Sequence, residues 1–230
     1  MQSDRHGAVS LLYDEYHAIR LDDGQHIICR HFFVGARWMA RYKPEHKDVS
    51  RQRLVEASAE AFRRMGYHGI GINDLCAAAG LTRGAFYGHF QAKTDLFRAV
   101  ISGSHDFINR LKARTGRTDA QLKKEAARVA TDYLDPKNQK PVIGGCSIAS
   151  LAMDVVRAEP EAKTAYADAV RTIVSEFRRG TDGEVIDHQA ARAALALCVG
   201  GLLIDSACGD DPEGAAIARA AQTEVRKLLA

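Results

Sequence analysis

Leu75-Cys76-Ala77-Ala78-Ala79-Gly80-Leu81-Thr82-Arg83-Gly84-Ala85-Phe86-Tyr87-Gly88-His89-Phe90-Gln91-Ala92-Lys93-Thr94-Asp95-Leu96-Phe97 is the stretch around which the chain is organised. A short apolar helix runs up to Gly80, a residue type that tolerates the left-handed conformation in which helices commonly stop. Thr82 is then placed to cap a second helix, because its hydroxyl can accept from a free backbone N–H of the first turn. Two short helices joined by a tight glycine-containing turn make the helix-turn-helix shape, whose second helix fits a major groove. That helix carries Arg83, Tyr87 and His89 beside a bare Gly84, and Lys93 opens the next helix. These are phosphate- and base-contacting residue types on a short exposed element.

Gly80-Leu81-Thr82-Arg83-Gly84-Ala85-Phe86-Tyr87-Gly88-His89-Phe90, followed by Lys93-Thr94-Asp95-Leu96, resembles the signature of the TetR/AcrR family of transcriptional regulators. The likeness extends from Arg41 to Ile101, and beyond it only the layout is shared. It implies an all-α fold with a three-helix DNA-binding head, residues 39–92, containing the helix-turn-helix. A larger C-terminal helical domain, residues 93–230, would bind a ligand and dimerise. The function implied is that of a ligand-responsive regulator rather than an enzyme, most often a repressor. It would bind a palindromic double-stranded operator as a homodimer and be released by a small-molecule effector, without a cofactor or metal. Arg83 would read a base, since a guanidinium can hold guanine O6 and N7 together. Gly84 and Ala85 would allow close approach, and Thr82, Tyr87, His89 and Lys93 would hold phosphates. Arg51, near the start of the first helix, occupies a position where the family touches a phosphate.

Composition agrees with a globular protein: 46% hydrophobic and 27% charged residues. No uninterrupted apolar run comes close to the ~18 to 20 residues that span a bilayer, and the first residues lack the pattern of a secretion signal, so a cytoplasmic protein without membrane contact is expected. Net charge is +3, and its placement matters. Residues 1–40 carry four basic and five acidic side chains, residues 41–100 ten and six, and residues 101–230 eighteen of each. The surplus therefore sits where a phosphate-binding surface is expected, although a chance excess on a solvated face has the same signature. Cys29, Cys76, Cys146, Cys198 and Cys208 are odd in number and form no CxxC pair, so they read as small buried hydrophobes.

In residues 1–38 the apolar runs Leu11-Leu12-Tyr13 and Ile27-Ile28-Cys29 flank the turn signal Asp22-Asp23-Gly24, compatible with a weak hairpin or a disordered arm. Because the family begins close to its first helix, Met39 is expected to be the natural start. A real extension that touches DNA or the partner subunit is the alternative. Helical spacing of Leu54, Ala57, Ser58, Ala61, Phe62 and Met65 predicts a first helix over Val49–Met65, capped by Asp48 or Ser50. Gly66-Tyr67-His68-Gly69-Ile70-Gly71 is a loop whose glycines lack dinucleotide-binding order. Gly71 stands where the family carries Thr or Ser, which removes one possible phosphate contact.

Further helices are expected over Lys93–Arg110, Asp119–Leu134, Gly144–Glu159, Glu161–Arg179, Asp187–Cys208 and Pro212–Leu229. Small residues in the penultimate one, including Gly200 and Gly201, suit a close helix crossing, either within the chain or in the family's four-helix dimer interface. Phe97, Ile101, Phe107, Cys146, Met153, Tyr166 and Phe177 are the candidates for lining an effector site, although any of them could be core. Cys146 lies near the N-terminus of the Gly144–Glu159 helix, where a thiol pKa is lowered, so an electrophile- or redox-sensing repressor is one alternative. An effector-free DNA-binding protein is another, which a missing body cavity and poor operator discrimination would favour.

Overall fold

Helix α1 spans Pro44–Met65, and it is the first element in the computed structural model, which describes residues 44–103, 105–135 and 146–230. The expectations for residues 1–38, Cys29 included, lie outside the described residues. All the elements belong to one unit, Tyr42–Ala230. α1 starts ahead of Val49 because Pro44 suits a first helical turn, where no N–H is needed. The expected caps Asp48 and Ser50 therefore lie inside the helix. Leu54, Ser58 and Phe62 are fully buried, but Met65 is 58% exposed, since the last turn overruns the core. Gly66, at φ +70°, ends the helix.

α2 (Ile72–Ala79) buries Leu75, Cys76 and Ala79 and stops at Gly80 in the left-handed region, φ 64° and ψ 35°. There the N–H groups of Gly80 and Leu81 donate to the carbonyls of Ala77 and Cys76 at 3.0 and 2.9 Å, satisfying two helix-end acceptors. α3 (Arg83–Tyr87) begins as read from the sequence, with Ala85 N–H donating to the Thr82 hydroxyl at 3.2 Å.

The single connecting helix expected over Lys93–Arg110 is two helices, α4 (Lys93–Ser102) and α5 (Asp106–Lys112). Gly103 is extended between them, and glycine and serine hold a helix weakly. Buried His105 stabilises the break by donating a ring N–H to the Ile101 carbonyl, 2.7 Å away. α6 (Asp119–Tyr133) is capped by Thr118. The expected helix through residue 159 is likewise split, into α7 (Ser147–Ser150) and α8 (Ala152–Val156), at buried Leu151. α9 (Pro160–Arg178), α10 (His188–Cys208) and α11 (Pro212–Leu229) complete the body. Among the described residues there is no strand, only an isolated bridge between Arg179 and Glu184, and the fold is all-α.

Two apolar clusters hold these helices. One joins α1 to α4 with Leu151, Val155, Ala162 and Ala165 of the body. The other fills the body around Phe107, Ile173, Phe177 and Cys198. Tyr166 packs against both. Arg114 ties α5, α6 and α9 together, donating to the carbonyls of Leu111 and Leu122 at 2.8 and 2.9 Å and to that of Glu176.

α10 is long and apolar enough, by length and composition, to cross a bilayer. His188, Arg192 and Asp205 interrupt the stretch, so it holds no uninterrupted apolar run of spanning length. In the fold it packs on α11, with Gly201 and Gly214 at the crossing. A Cβ on Gly201 would stand 2.9 Å from Leu134 and 3.0 Å from Ala221, so the small residue there serves a contact within the chain. Gly200 points elsewhere, and a Cβ on it would meet nothing within 4 Å.

Candidate nucleic-acid interface

Phe86 is the anchor of the recognition helix: it is fully buried and stacks near Phe90, while Thr82, Arg83, Gly84 and Tyr87 face outward. One apolar residue thus fastens a five-residue helix whose remaining surface is free. Arg83 lies along Tyr87, its guanidinium 5.7 Å from the ring centroid. Gly84 has open space on the protein side, since an added Cβ would meet only the Thr82 hydroxyl at 3.8 Å. Packing within the chain does not explain a glycine there.

Arg51 of α1 lies over Phe90, with its guanidinium 5.1 Å from the ring centroid. It borders a cleft with His89, Asp95 and Arg98. His89 Nε2 lies 2.7 Å from the Ser50 hydroxyl. Partial burial lowers the His89 pKa, the charges of Lys47 and Arg51 lower it further, and Asp48 opposes them. Gly71 caps α2 without a hydroxyl, its N–H directed at the Asp74 carboxylate at 3.4 Å.

Lys93 departs from the expected grouping. Its ammonium sits over the Tyr67 ring, 4.4 Å from the centroid, rather than beside Arg83. Burial lowers its pKa and Asp154 of α8 acts against that. Asp154 also accepts from the Tyr67 backbone N–H at 3.2 Å, and Arg63 of α1 donates to Ser147 at 3.2 Å. Tyr67 was not singled out from the sequence. Its aromatic type within a glycine-rich loop, next to buried Phe62 and Phe97, is the signal that could have identified it.

The effector candidates divide between the two clusters. Phe97 and Ile101 belong to the head-side cluster, and Phe107 and Phe177 to the body cluster, with Cys146 packed against the latter. Met153 is 60% exposed and lines no interior. Cys146 caps only one turn of helix, and burial raises its thiol pKa instead of lowering it. A one-turn helix contributes too small a dipole to offset desolvation. Cys76 and Cys198 are buried as expected, but Cys208 is exposed near the end of α10. Tyr133, absent from the candidates, carries a buried hydroxyl against the Cys146 thiol, a weak partner, and has no stronger one among the described residues. A tyrosine in phase with the apolar face of Val129 and Ala130 was its sequence signal.

The exposed arginine-bearing α3, set by Gly80 and Thr82 against α2, has the helix-turn-helix geometry of a DNA-binding head. Residues 54–100 match the family described as bacterial regulatory proteins, tetR family. It is 32% identical over 84 residues to a probable HTH-type transcriptional regulator, ArpR of Pseudomonas putida, the match covering 36% of this chain and 40% of that one. It is also 32% identical over 74 residues to the HTH-type transcriptional regulator AcrR of Shigella flexneri, covering 32% and 34%. The similarity thus spans well under half the length of these curated relatives. Among solved structures, the reduced form of Escherichia coli NemR shares the fold, with TM-score 0.61 and 16% identity over 78% of this chain and 96% of that one. These relatives carry regulator names, in agreement with the expectation of a non-enzyme.

Proposed function

We propose that this chain is a DNA-binding transcriptional regulator that grips a palindromic operator as a twofold dimer and is released by a small molecule. Residues 39–92 act as the head and residues 93–230 as the effector-binding and dimerising body. The observation that carries the reading is the outward face of α3: Arg83 and Tyr87 beside a Gly84 that packing within the chain does not require. Arg83 reads a base, Gly84 and Ala85 admit the DNA backbone, and Thr82, Tyr87, His89 and Arg51 hold phosphates. Lys93 joins them once it leaves the Tyr67 ring.

Dimerisation is assigned to α10 and α11. Ala193, Ala196, Ile204 and Ala207 of α10 are exposed in the protomer, with Leu197, Gly200 and Leu203 half-buried among them. A contiguous apolar strip of this kind, rimmed by polar residues, marks a protein interface. The effector would enter the body near Phe107, Phe177, Tyr166 and Cys146, where the Tyr133 hydroxyl has no partner stronger than the Cys146 thiol among the described residues. Recognition there is non-covalent, because a thiol with a raised pKa is a poor nucleophile.

Binding to the DNA upstream of the chain's own coding sequence, titrated with salt and random competitor, tests the reading. A competitor-resistant complex with a palindromic footprint supports it. Binding that random DNA abolishes, on that fragment and on duplexes selected from a random pool, counts against a specific regulator.

A further inference from the structure

We propose that Ser50 is a positioning residue for the DNA contact: it holds His89 as the Nε2–H tautomer, so that His89 donates to a phosphate only after taking up a proton. The inference rests on the DNA-binding reading and adds to it a dependence on protons.

The assignment follows from donors and acceptors. The Ser50 hydroxyl lies 2.9 Å from the Lys47 carbonyl and 2.7 Å from His89 Nε2. It has one proton, and a carbonyl only accepts. Both contacts are satisfied in one arrangement: Ser50 donates to Lys47, and Nε2–H donates to Ser50. A neutral imidazole has a single N–H, so Nδ1 is left as a bare acceptor. Among the described residues Nδ1 has no partner. A phosphate oxygen is also an acceptor, and two acceptors cannot bond. Contact through Nδ1 therefore requires the imidazolium.

The surroundings keep His89 neutral until DNA arrives. From α1, Lys47 and Arg51 disfavour the charged ring and Asp48 favours it. Across the cleft on α4, Asp95 and Arg98 pair with each other at 3.3 Å. Arg83 and Tyr87, just before it in the chain, are already in mutual contact. A phosphate placed in this largely cationic setting reverses the balance and raises the ring's pKa. Because the bound-state value is the higher one, affinity is greatest below the free-state value and declines as pH rises through the interval between the two. The steepest slope is about tenfold in Kd per pH unit for each head.

The test measures binding of the full chain to a duplex recovered by selection and to a random-sequence duplex, at constant salt, from about pH 5.5 to about pH 8.5. Calorimetry in two buffers of different ionisation enthalpy counts protons taken up. Weaker binding at higher pH, with proton uptake at intermediate pH, is the expected result. His89→Gln should abolish both while leaving the fold intact. Ser50→Ala, which frees the ring to present Nδ1–H while neutral, should flatten the pH profile without weakening binding at the alkaline end. Tight binding with no proton uptake would overturn the proposal, as would a pH slope that survives His89→Gln. An equal loss at every pH for Ser50→Ala, with the slope unchanged, would reduce Ser50 to a merely structural residue. Failure to bind either duplex at any pH would sink the DNA-binding reading itself, a different result from binding without proton uptake.

Discussion

The guanidinium of Arg83 rests on the ring of Tyr87, one helical turn away, with an N–H directed at the phenol oxygen at 3.4 Å. The free protein thus holds the arginine proposed to read a base along the helix, in an exposed contact that water weakens. Reaching guanine exchanges that contact for two hydrogen bonds in a desolvated groove. Arg83→Ala should lower operator affinity on the order of tenfold to a hundredfold and relax specificity at one position per half-site. Binding to a panel of singly substituted duplexes would show this. Equal loss on every sequence would make Arg83 a backbone contact instead.

Gly84→Ala separates fold from function. Its Cβ has room within the protein, and alanine in a helix is more favourable than glycine by up to about 1 kcal/mol. Thermal unfolding should therefore show an unchanged or higher midpoint, while operator affinity falls because the methyl holds the DNA backbone away. A loss of stability, or unchanged binding, would remove the reason assigned to this glycine.

Adjacent glycines of α10 should behave oppositely. Gly200 faces open space, so Gly200→Leu leaves the protomer folded but should shift sedimentation from dimer to monomer if α10 is the interface. Gly201→Ala crowds Leu134 and Ala221 and should cost about 1–3 kcal/mol in denaturant titration. A Gly200 variant that remains dimeric would place the interface elsewhere.

Among the described residues the buried Tyr133 hydroxyl has no partner stronger than the Cys146 thiol. Leaving such a group unsatisfied costs about 1–3 kcal/mol, so Tyr133→Phe should raise the stability of the effector-free protein by a comparable amount. If that hydroxyl waits for an effector, the same variant should also respond more weakly to inducing compounds in a DNA-release assay. A destabilised variant would mean that the hydroxyl is already satisfied.

The helix-turn-helix could be read from residues 75–97 because its signals act within a turn. Gly80 stops α2 in a conformation costly for other residues, and Thr82 caps α3 through a neighbour three positions on. Helical phase is likewise written in the sequence of α9, where Ala165, Ala169, Ile173, Val174 and Phe177 recur at helical spacing and are buried. Only the assembled fold decided the breaks at Gly103 and Leu151, which no proline announces and which depend on buried His105 and Leu151. The same holds for Lys93 on Tyr67 beside Asp154, for Arg63 on Ser147, and for the raised thiol pKa of Cys146. Caps and turn conformations are set by adjacent residues and appear in the sequence. Desolvation and contacts between distant positions depend on which surfaces meet, and only the tertiary structure decides that.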